Sequence, residues 1–222
     1  DKASNAIEKK QYVVESNTVT IKAGERVAKF RMKGVYENIG KTDSLSVTFN
    51  LRAKDENIWD LYGTRTRVQM QKACPFELST FEGYCLLTSS FFSAYMTNTE
   101  HRLLQAERDK AEDNTIILHD FFYKNYDLKI KYDPSDPLKP FVEFDEQIIG
   151  STAEAFGTIY GNGKLMCDQP VAYDSYYNVC QKFVILYTTI YVVGKGTVGT
   201  YVNILEWISD EEAEQYKKEE GL

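Results

Sequence analysis

A strict alternation of apolar and polar residues over positions 45–53 constrains the fold more than any other feature of the chain. The apolar members are Leu45, Val47, Phe49, Leu51 and Ala53, and the polar members between them are Ser46, Thr48, Asn50 and Arg52. Successive side chains of an extended strand point to opposite faces, so this pattern predicts a strand with one face in a core and the other in water. Similar stretches recur nearly to the C-terminus and helical periodicity is scarce. The sequence therefore predicts an all-β protein.

The charge balance of the chain excludes some classes of partner. Its 222 residues carry a net charge of −7, whereas binding to nucleic acid depends on Lys and Arg side chains that neutralise phosphates. The same acidity argues against an anionic membrane surface. No stretch reaches the roughly 20 apolar residues that a membrane-spanning helix needs. We therefore predict no nucleic-acid partner and no spanning helix in these residues.

The first third of the chain contains about six short strand patterns separated by turns, which fit a small Ig-like β-sandwich. Two of these patterns, residues 18–21 and 27–32, flank a turn at Gly24. Pro75 cannot donate to a sheet ladder and disfavours helix at the residue before it, so we place a domain boundary at Cys74. The predicted domains are an Ig-like sandwich over residues 1–73 and a second β-domain over residues 74–222.

The second domain is predicted to form an eight-stranded antiparallel barrel of the lipocalin or calycin type, because closure removes exposed strand edges. A second open sandwich is the alternative. The pattern places Leu186, Ile190 and Val202 in the interior, and Ser209 with Glu212 forms a capping box that predicts a short C-terminal helix. The predicted strands cover residues 83–89, 100–107, 115–119, 127–132, 141–144, 157–166, 182–193 and 197–207.

The four cysteines do not indicate a metal site. Cys74, Cys85, Cys167 and Cys180 lack CxxC spacing, and the two histidines of the chain cannot complete a zinc set with them. Two disulfides remain open, and so do buried free thiols, since cysteine is among the most buried residue types. Free thiols are favoured because a chain of this length does not need disulfides to be stable. We predict no metal and no cofactor.

Candidate catalytic groups are few. His119 precedes Asp120, but adjacent residues of a strand point to opposite faces and cannot easily form an oriented base. Glu143 and Asp145 stand two residues apart, which places both carboxylates on one face of a strand. Such a pair can hydrolyse glycosidic bonds, or it can belong to a solvated outer face.

Exposed aromatic residues are the candidates for ligand binding. Tyr173, Tyr176 and Tyr177 stand in a polar stretch beside Asp and Asn residues, and Trp59 and Tyr62 stand in another predicted loop. Such rings stack on sugars while neighbouring polar groups bond hydroxyls, or they anchor a protein partner. The alternative is that these five rings cover the barrel ends or fill the joint between the two domains.

Several segments, taken in order, resemble the exported lipoproteins of gut-dwelling Gram-negative anaerobes. Those proteins pair a small Ig-like N-terminal domain with a β-barrel or sandwich domain of unknown function. The resemblance implies a lipid-modified cysteine just upstream of Asp1, a location at the outer membrane, periplasm or cell surface, and membrane contact only through that lipid anchor. It implies no catalytic residues. The segments that carry it are residues 17–25, 58–63, 74–76, 81–84 and 202–208.

The expected function is that of a non-enzymatic exported lipoprotein that binds a ligand or a partner at the cell envelope. A glycan-binding accessory protein of polysaccharide uptake is the first alternative. A glycoside hydrolase that uses Glu143 and Asp145 is the second, and fibre-like assembly by strand exchange is the third.

Overall fold

The computed structural model describes residues 2–53, 63–96, 98–137 and 139–220. The chain divides into two compact units, Asp1–Cys74 and Pro75–Leu222. The second unit is built mainly from β-strands, as the sequence predicts, whereas most of the described residues of the first unit lie outside its short strands.

The first unit contains two separate antiparallel sheets of two strands each. Strand β1 (Tyr12–Val14) pairs with β2 (Met32–Gly34), and β3 (Leu45–Asn50) pairs with β4 (Arg65–Met70). The predicted Ig-like sandwich is not confirmed, because only these small sheets are formed in the described part of the unit. The hydrophobic core of this unit, in its described residues, consists of Ala6, Tyr12, Ile39, Val47 and Met70.

The alternating segment forms a strand, but part of its polar face does not lie in water. Ser46 and Thr48 are buried because residues near the N-terminus cover them. The backbone N–H of Ala6 donates to the carbonyl of Ser46 at 3.1 Å, and the N–H of Thr48 donates to Ser4 Oγ at 2.9 Å. Leu51, predicted to face the core, is exposed beyond the end of β3. The alternating pattern thus predicts where the strand lies, but it does not predict which other segment of the chain packs on the strand.

The second unit forms an eight-stranded closed antiparallel barrel, and its described residues include three α-helices and a 3-10 helix at Leu78–Phe81. Neighbours along the chain pair in an up-and-down order, and β14 returns to pair with β5, which closes the ring. The helices are α1 (Ser90–Tyr95), α2 (Thr152–Phe156) and α3 (Asp210–Glu220). The strands are β5 (Gly83–Ser89), β6 (His101–Arg108), β7 (Thr115–Leu118), β8 (Leu128–Tyr132), β9 (Phe141–Glu143), β10 (Gln147–Ser151), β11 (Lys164–Asp168), β12 (Ser175–Asn178), β13 (Phe183–Val192) and β14 (Gly196–Trp207).

Two of the eight barrel strands are broken into halves. Strands β9 and β10 are separated by residues 144–146, and β11 and β12 are separated by residues 169–174. Strand β9 pairs with β12 and β10 pairs with β11, so the two breaks lie side by side in the wall. At these breaks, glutamine side chains make hydrogen bonds to backbone groups that have no partner in the strand ladder. Gln147 accepts from Lys129 N and donates to Lys129 O, both at 2.8 Å, and Gln169 accepts from Phe144 N at 3.3 Å.

Side chains fill the barrel interior. At one end Phe81 stacks on Tyr132 with a centroid distance of 4.6 Å, and at the other Phe91 stacks on Phe122 at 4.7 Å. Leu186 and Ile190 point inward as predicted, but Val202 points outward. Its neighbour Asn203 takes the interior position and is fully buried.

The capping box at the start of α3 is confirmed. Ser209 N donates to Glu212 Oε2 at 2.8 Å, and Glu212 N donates to Ser209 Oγ at 3.3 Å. Helices α1 and α2 were not predicted. Across the described ranges, no helix has both the length and the apolar character needed to cross a membrane.

The cysteines divide between the two open predictions. Cys85 and Cys167 are buried free thiols, and Cys74 and Cys180 are disulfide-bonded. Burial raises the pKa of the Cys167 thiol to about 12. A thiol with so high a pKa carries little thiolate at neutral pH, so neither a nucleophile nor a metal ligand is expected at Cys167.

Candidate binding surface

Aromatic and aliphatic side chains cover the outer side of β12, β13 and β14. Strand alternation puts them there, since Ser175 and Tyr177 of β12 point inward and Tyr176 points outward. The register carries the surface across the sheet, with Tyr176 opposite Ile185 and Ile185 opposite Ile204. We call this surface the tyrosine face. It consists of Tyr173, Tyr176, Phe183, Ile185, Tyr187, Val202 and Ile204.

The rings of the tyrosine face pack on one another and remain open to solvent. Tyr173 stacks on Tyr187 with a centroid distance of 5.1 Å and an interplanar angle of 20°. Tyr176 meets Phe183 edge to face at 6.3 Å and 77°. Tyr173 is 54% exposed and Tyr176 is 40% exposed. The tyrosine face therefore presents exposed rings of Tyr173 and Tyr176 whose orientations are fixed by packing on neighbouring rings.

Hydrogen-bonding groups border these rings. Asp174 follows Tyr173 and is exposed. Beyond Tyr187 on β13, the hydroxyls of Thr189 and Thr200 lie 3.0 Å apart on the outside of the sheet. Carboxylate and hydroxyl groups beside flat rings provide both the apolar and the polar contacts that a sugar requires.

Among the described residues predicted from sequence, Tyr173 and Tyr176 belong to the tyrosine face and Tyr177 does not. Tyr177 lies inside the barrel, where its ring contacts Tyr132 at 5.2 Å and its hydroxyl donates to Asp133 O at 3.2 Å. Burial raises the pKa of that hydroxyl. Trp59 and Tyr62 lie outside the described residues.

Sequence reasoning missed Phe183 and Tyr187, which support the two exposed tyrosines. Both residues belong to the predicted strand 182–193, but no side-chain orientation was assigned to either ring. The signal was present, because Phe183, Ile185 and Tyr187 alternate with Val184 and Leu186, the two inward residues.

The two carboxylates of the hydrolase hypothesis line one cleft of about 570 Å³ at the break in the barrel wall. Glu143 is the last residue of β9 and stands opposite Lys131, and Asp145 lies in the break itself. Both side chains are exposed. The cleft also contains Lys129, whose ammonium group pairs with Asp109.

Both histidines line another cleft, of about 910 Å³, which β6 and α3 border. His101 Nδ1 and Thr88 Oγ1 lie 2.8 Å apart, and Tyr216 donates to the carbonyl of His101 at 3.3 Å. Lys217 Nζ lies 4.3 Å from the centroid of the Tyr84 ring and covers it. The Tyr84 ring of this cleft is therefore already covered by a cation of the same chain.

His119 lies between two carboxylates, and neither belongs to Asp120. Its Nδ1 is 3.0 Å from Asp127 Oδ2, and its Nε2 is 3.5 Å from Glu107 Oε2. Partial burial acts to lower the pKa of His119, but Asp127 and Glu107 outweigh it and raise the pKa above 6.5. With both ring nitrogens engaged, His119 holds the β7–β8 turn and has no free nitrogen to act as a base.

The His119 cluster predicts a pH-dependent contribution to stability. Because the pKa is raised on folding, the contribution is fully present below the unfolded value of about 6.5 and is lost as the pH rises through the folded value. We expect His119→Gln to lower the melting temperature below pH 6 and to have less effect at about pH 9. Melting curves of both proteins check this. An equal loss at both pH values contradicts it, and His101→Gln serves as the control histidine.

The described residues contain no group of three or more His, Cys, Asp or Glu side chains that could hold a metal ion. The predicted absence of a cofactor remains a prediction.

With the geometry established, comparison with known proteins identifies the family. Residues 61–219, more than half of the chain, match a family model described as a domain of unknown function, DUF4984. The chain belongs to the DUF4984 family. The DUF4984 match begins before β4 and extends into α3, so it includes the whole barrel. No curated protein and no solved structure matches the chain.

Proposed function

We propose that this DUF4984 protein is a non-catalytic, exported binding protein of the cell envelope whose tyrosine face binds glycans. The observation that carries the proposal is the exposed Tyr173 ring, which stacks nearly parallel to the Tyr187 ring with a centroid distance of 5.1 Å. An aromatic ring fixed in this way loses little conformational freedom when a sugar ring packs against it. Asp174 and the threonine hydroxyls are then within the same surface to bond sugar hydroxyls.

Two further observations support the setting. Disulfides such as those of Cys74 and Cys180 form and persist mainly in oxidising compartments, which favours an exported protein. The up-and-down order of the barrel is that of lipocalin-type proteins, and we propose a calycin-like architecture with a filled interior. Binding then falls to the outer wall.

The test is binding to a broad glycan array by the full chain and by a variant that combines Tyr173→Ala with Tyr176→Ala. Removing aromatic anchors of this kind is expected to weaken binding by about tenfold or more. The matched control is Tyr160→Ala, which removes a similarly exposed tyrosine outside the tyrosine face. Tyr177 is left intact because its truncation would damage the core.

Two outcomes would overturn the proposal. Absence of binding across the array removes its basis, and equal loss of binding in the Tyr160→Ala control shows that the tyrosine face is not the site. A second candidate function is hydrolysis, favoured by the cleft that Glu143 and Asp145 share. Release of reducing ends by the unmodified protein, abolished by Glu143→Gln or Asp145→Asn, would establish a glycoside hydrolase instead.

A further inference from the structure

A two-legged extension projects from the β1–β2 pair of the first unit. We call residues 16–31 the arm, residues 17–22 its first leg and residues 26–31 its second leg. The base of the arm is closed by Glu15 N, which donates to Arg31 O at 3.3 Å, and its tip by Glu25 N, which donates to Lys22 O at 3.0 Å. Between base and tip both legs run without regular secondary structure.

The two legs do not pair with each other. A cleft of about 470 Å³ lies between them and is lined by residues of both. In the structure as described, the backbone N–H groups of residues 19–22 and 26–30 donate to no acceptor. Each leg therefore presents unpaired backbone N–H groups, which a strand of another chain can pair with.

The side chains of the arm fit a strand better than they fit a loop. Residues 18–21 are four consecutive β-branched residues, the type most enriched in strands. Ile21 is 58% exposed and Val27 is 69% exposed, and Val19 is exposed as well. Residues with strong strand preference and exposed apolar side chains gain both backbone bonds and burial when a partner strand arrives.

We propose that the first leg pairs with the first leg of a second copy of this chain, as antiparallel strands related by a two-fold axis at Thr20. In that register Thr20 faces Thr20, Val19 faces Ile21, and Thr18 faces Lys22. These are β-branched and Thr–Thr pairs, which stabilise neighbouring strands, and no like charges meet. A two-fold contact of this kind is self-complementary and closes after two copies.

Charge decides against the second leg as the paired edge. Its six residues include Arg26, Lys29 and Arg31. In the antiparallel register that pairs all six residues, Arg26 of each copy would face Arg31 of the other, and like charges directly opposite are destabilising. Charged residues of this kind commonly protect strand edges from association. The first leg, with one lysine at its end, has no such protection.

The first experiment uses the full chain with Thr20→Cys under mild oxidation. Facing residues of an antiparallel pair have Cα atoms about 4.5–5.5 Å apart, within the range that a disulfide spans. We expect a covalent dimer to form much faster than with Val27→Cys, an exposed position on the second leg. The native free thiols Cys85 and Cys167 are buried and do not compete.

The second experiment is sedimentation velocity over a concentration series. We expect a reversible monomer–dimer equilibrium that Val19→Lys weakens by about tenfold, since it places a charge in both Val19–Ile21 pairs. Val27→Lys is the control and should leave the equilibrium unchanged. A chain that stays monomeric at every concentration overturns the proposal. So does a dimer in which Val27→Cys cross-links as fast as Thr20→Cys, because the second leg would then share the contact.

Discussion

Replacing Phe81 with alanine is expected to lower the free energy of unfolding of the barrel unit by about 3–5 kcal/mol. Phe81 is completely buried and its ring joins the aromatic cluster at one end of the barrel. The distances from its ring centroid to those of neighbouring rings are 4.6 Å for Tyr132, 5.0 Å for Trp207 and 5.7 Å for Tyr177. Alanine removes the shared partner of three rings and leaves a cavity that those rings cannot all move to fill.

Chemical denaturation followed by circular dichroism measures this loss, with Phe81→Leu as a graded comparison that retains part of the volume. The control is Tyr160→Ala, an exposed aromatic of the same unit, for which we expect a change of about 0.5 kcal/mol or less. A loss of less than about 1 kcal/mol for Phe81→Ala would mean that the cluster is not packed as the structure has it.

Replacing Asn203 with alanine is expected to lower the free energy of unfolding by about 2–4 kcal/mol, because it leaves several buried polar groups without partners. Asn203 Oδ1 accepts from Ser89 Oγ at 2.6 Å. Its Nδ2 donates to Leu186 O at 2.9 Å and to Thr188 Oγ1 at 3.0 Å. These bonds tie β14 to both of its neighbours, β5 and β13, where the ring closes.

The double variant Asn203→Ala with Ser89→Ala separates the network from simple packing. Because the Ser89 hydroxyl loses its acceptor in the single variant, removing that hydroxyl as well should cost less than the sum of the two single changes. Thermal unfolding of the four proteins completes the cycle. Strict additivity would show that the 2.6 Å bond contributes no coupling. Thr200→Ala, on the outside of the same strand, is the control.

The sequence was sufficient for the parts of the barrel where alternation is long and bounded by turns. Strands β5 to β8, β13 and β14 all coincide with predicted segments. Strand β10 was not predicted because a glycine, Gly150, interrupts its short apolar run, and β12 was not predicted because its first and last residues, Ser175 and Asn178, are polar residues typical of loops. A strand with polar ends is hard to recognise from sequence, because pairing with neighbouring strands on both sides stabilises it in addition to its own residues.

The candidate binding surface could be predicted only in part for the same reason. Composition pointed to Tyr173 and Tyr176, but the orientation of a side chain depends on register, which is set by distant strands. A shift of one residue separates Tyr176, on the outer face, from Tyr177, inside the barrel. The buried Ser46 shows the same limit in the first unit, since its cover comes from Asn5, far away in sequence.

The paired breaks in the wall give this barrel a seam. Along an intact ladder, neighbouring backbones hold one another, whereas at the seam the amide protons of Lys129 and Phe144 are held by the side chains of Gln147 and Gln169. Side chains can rotate away without any strand moving, so local opening is least costly along this line. The thiol of Cys167 stands opposite Gln147 in the register. The rate at which the Cys167 thiol is alkylated therefore reports how often the closed barrel opens locally along the seam.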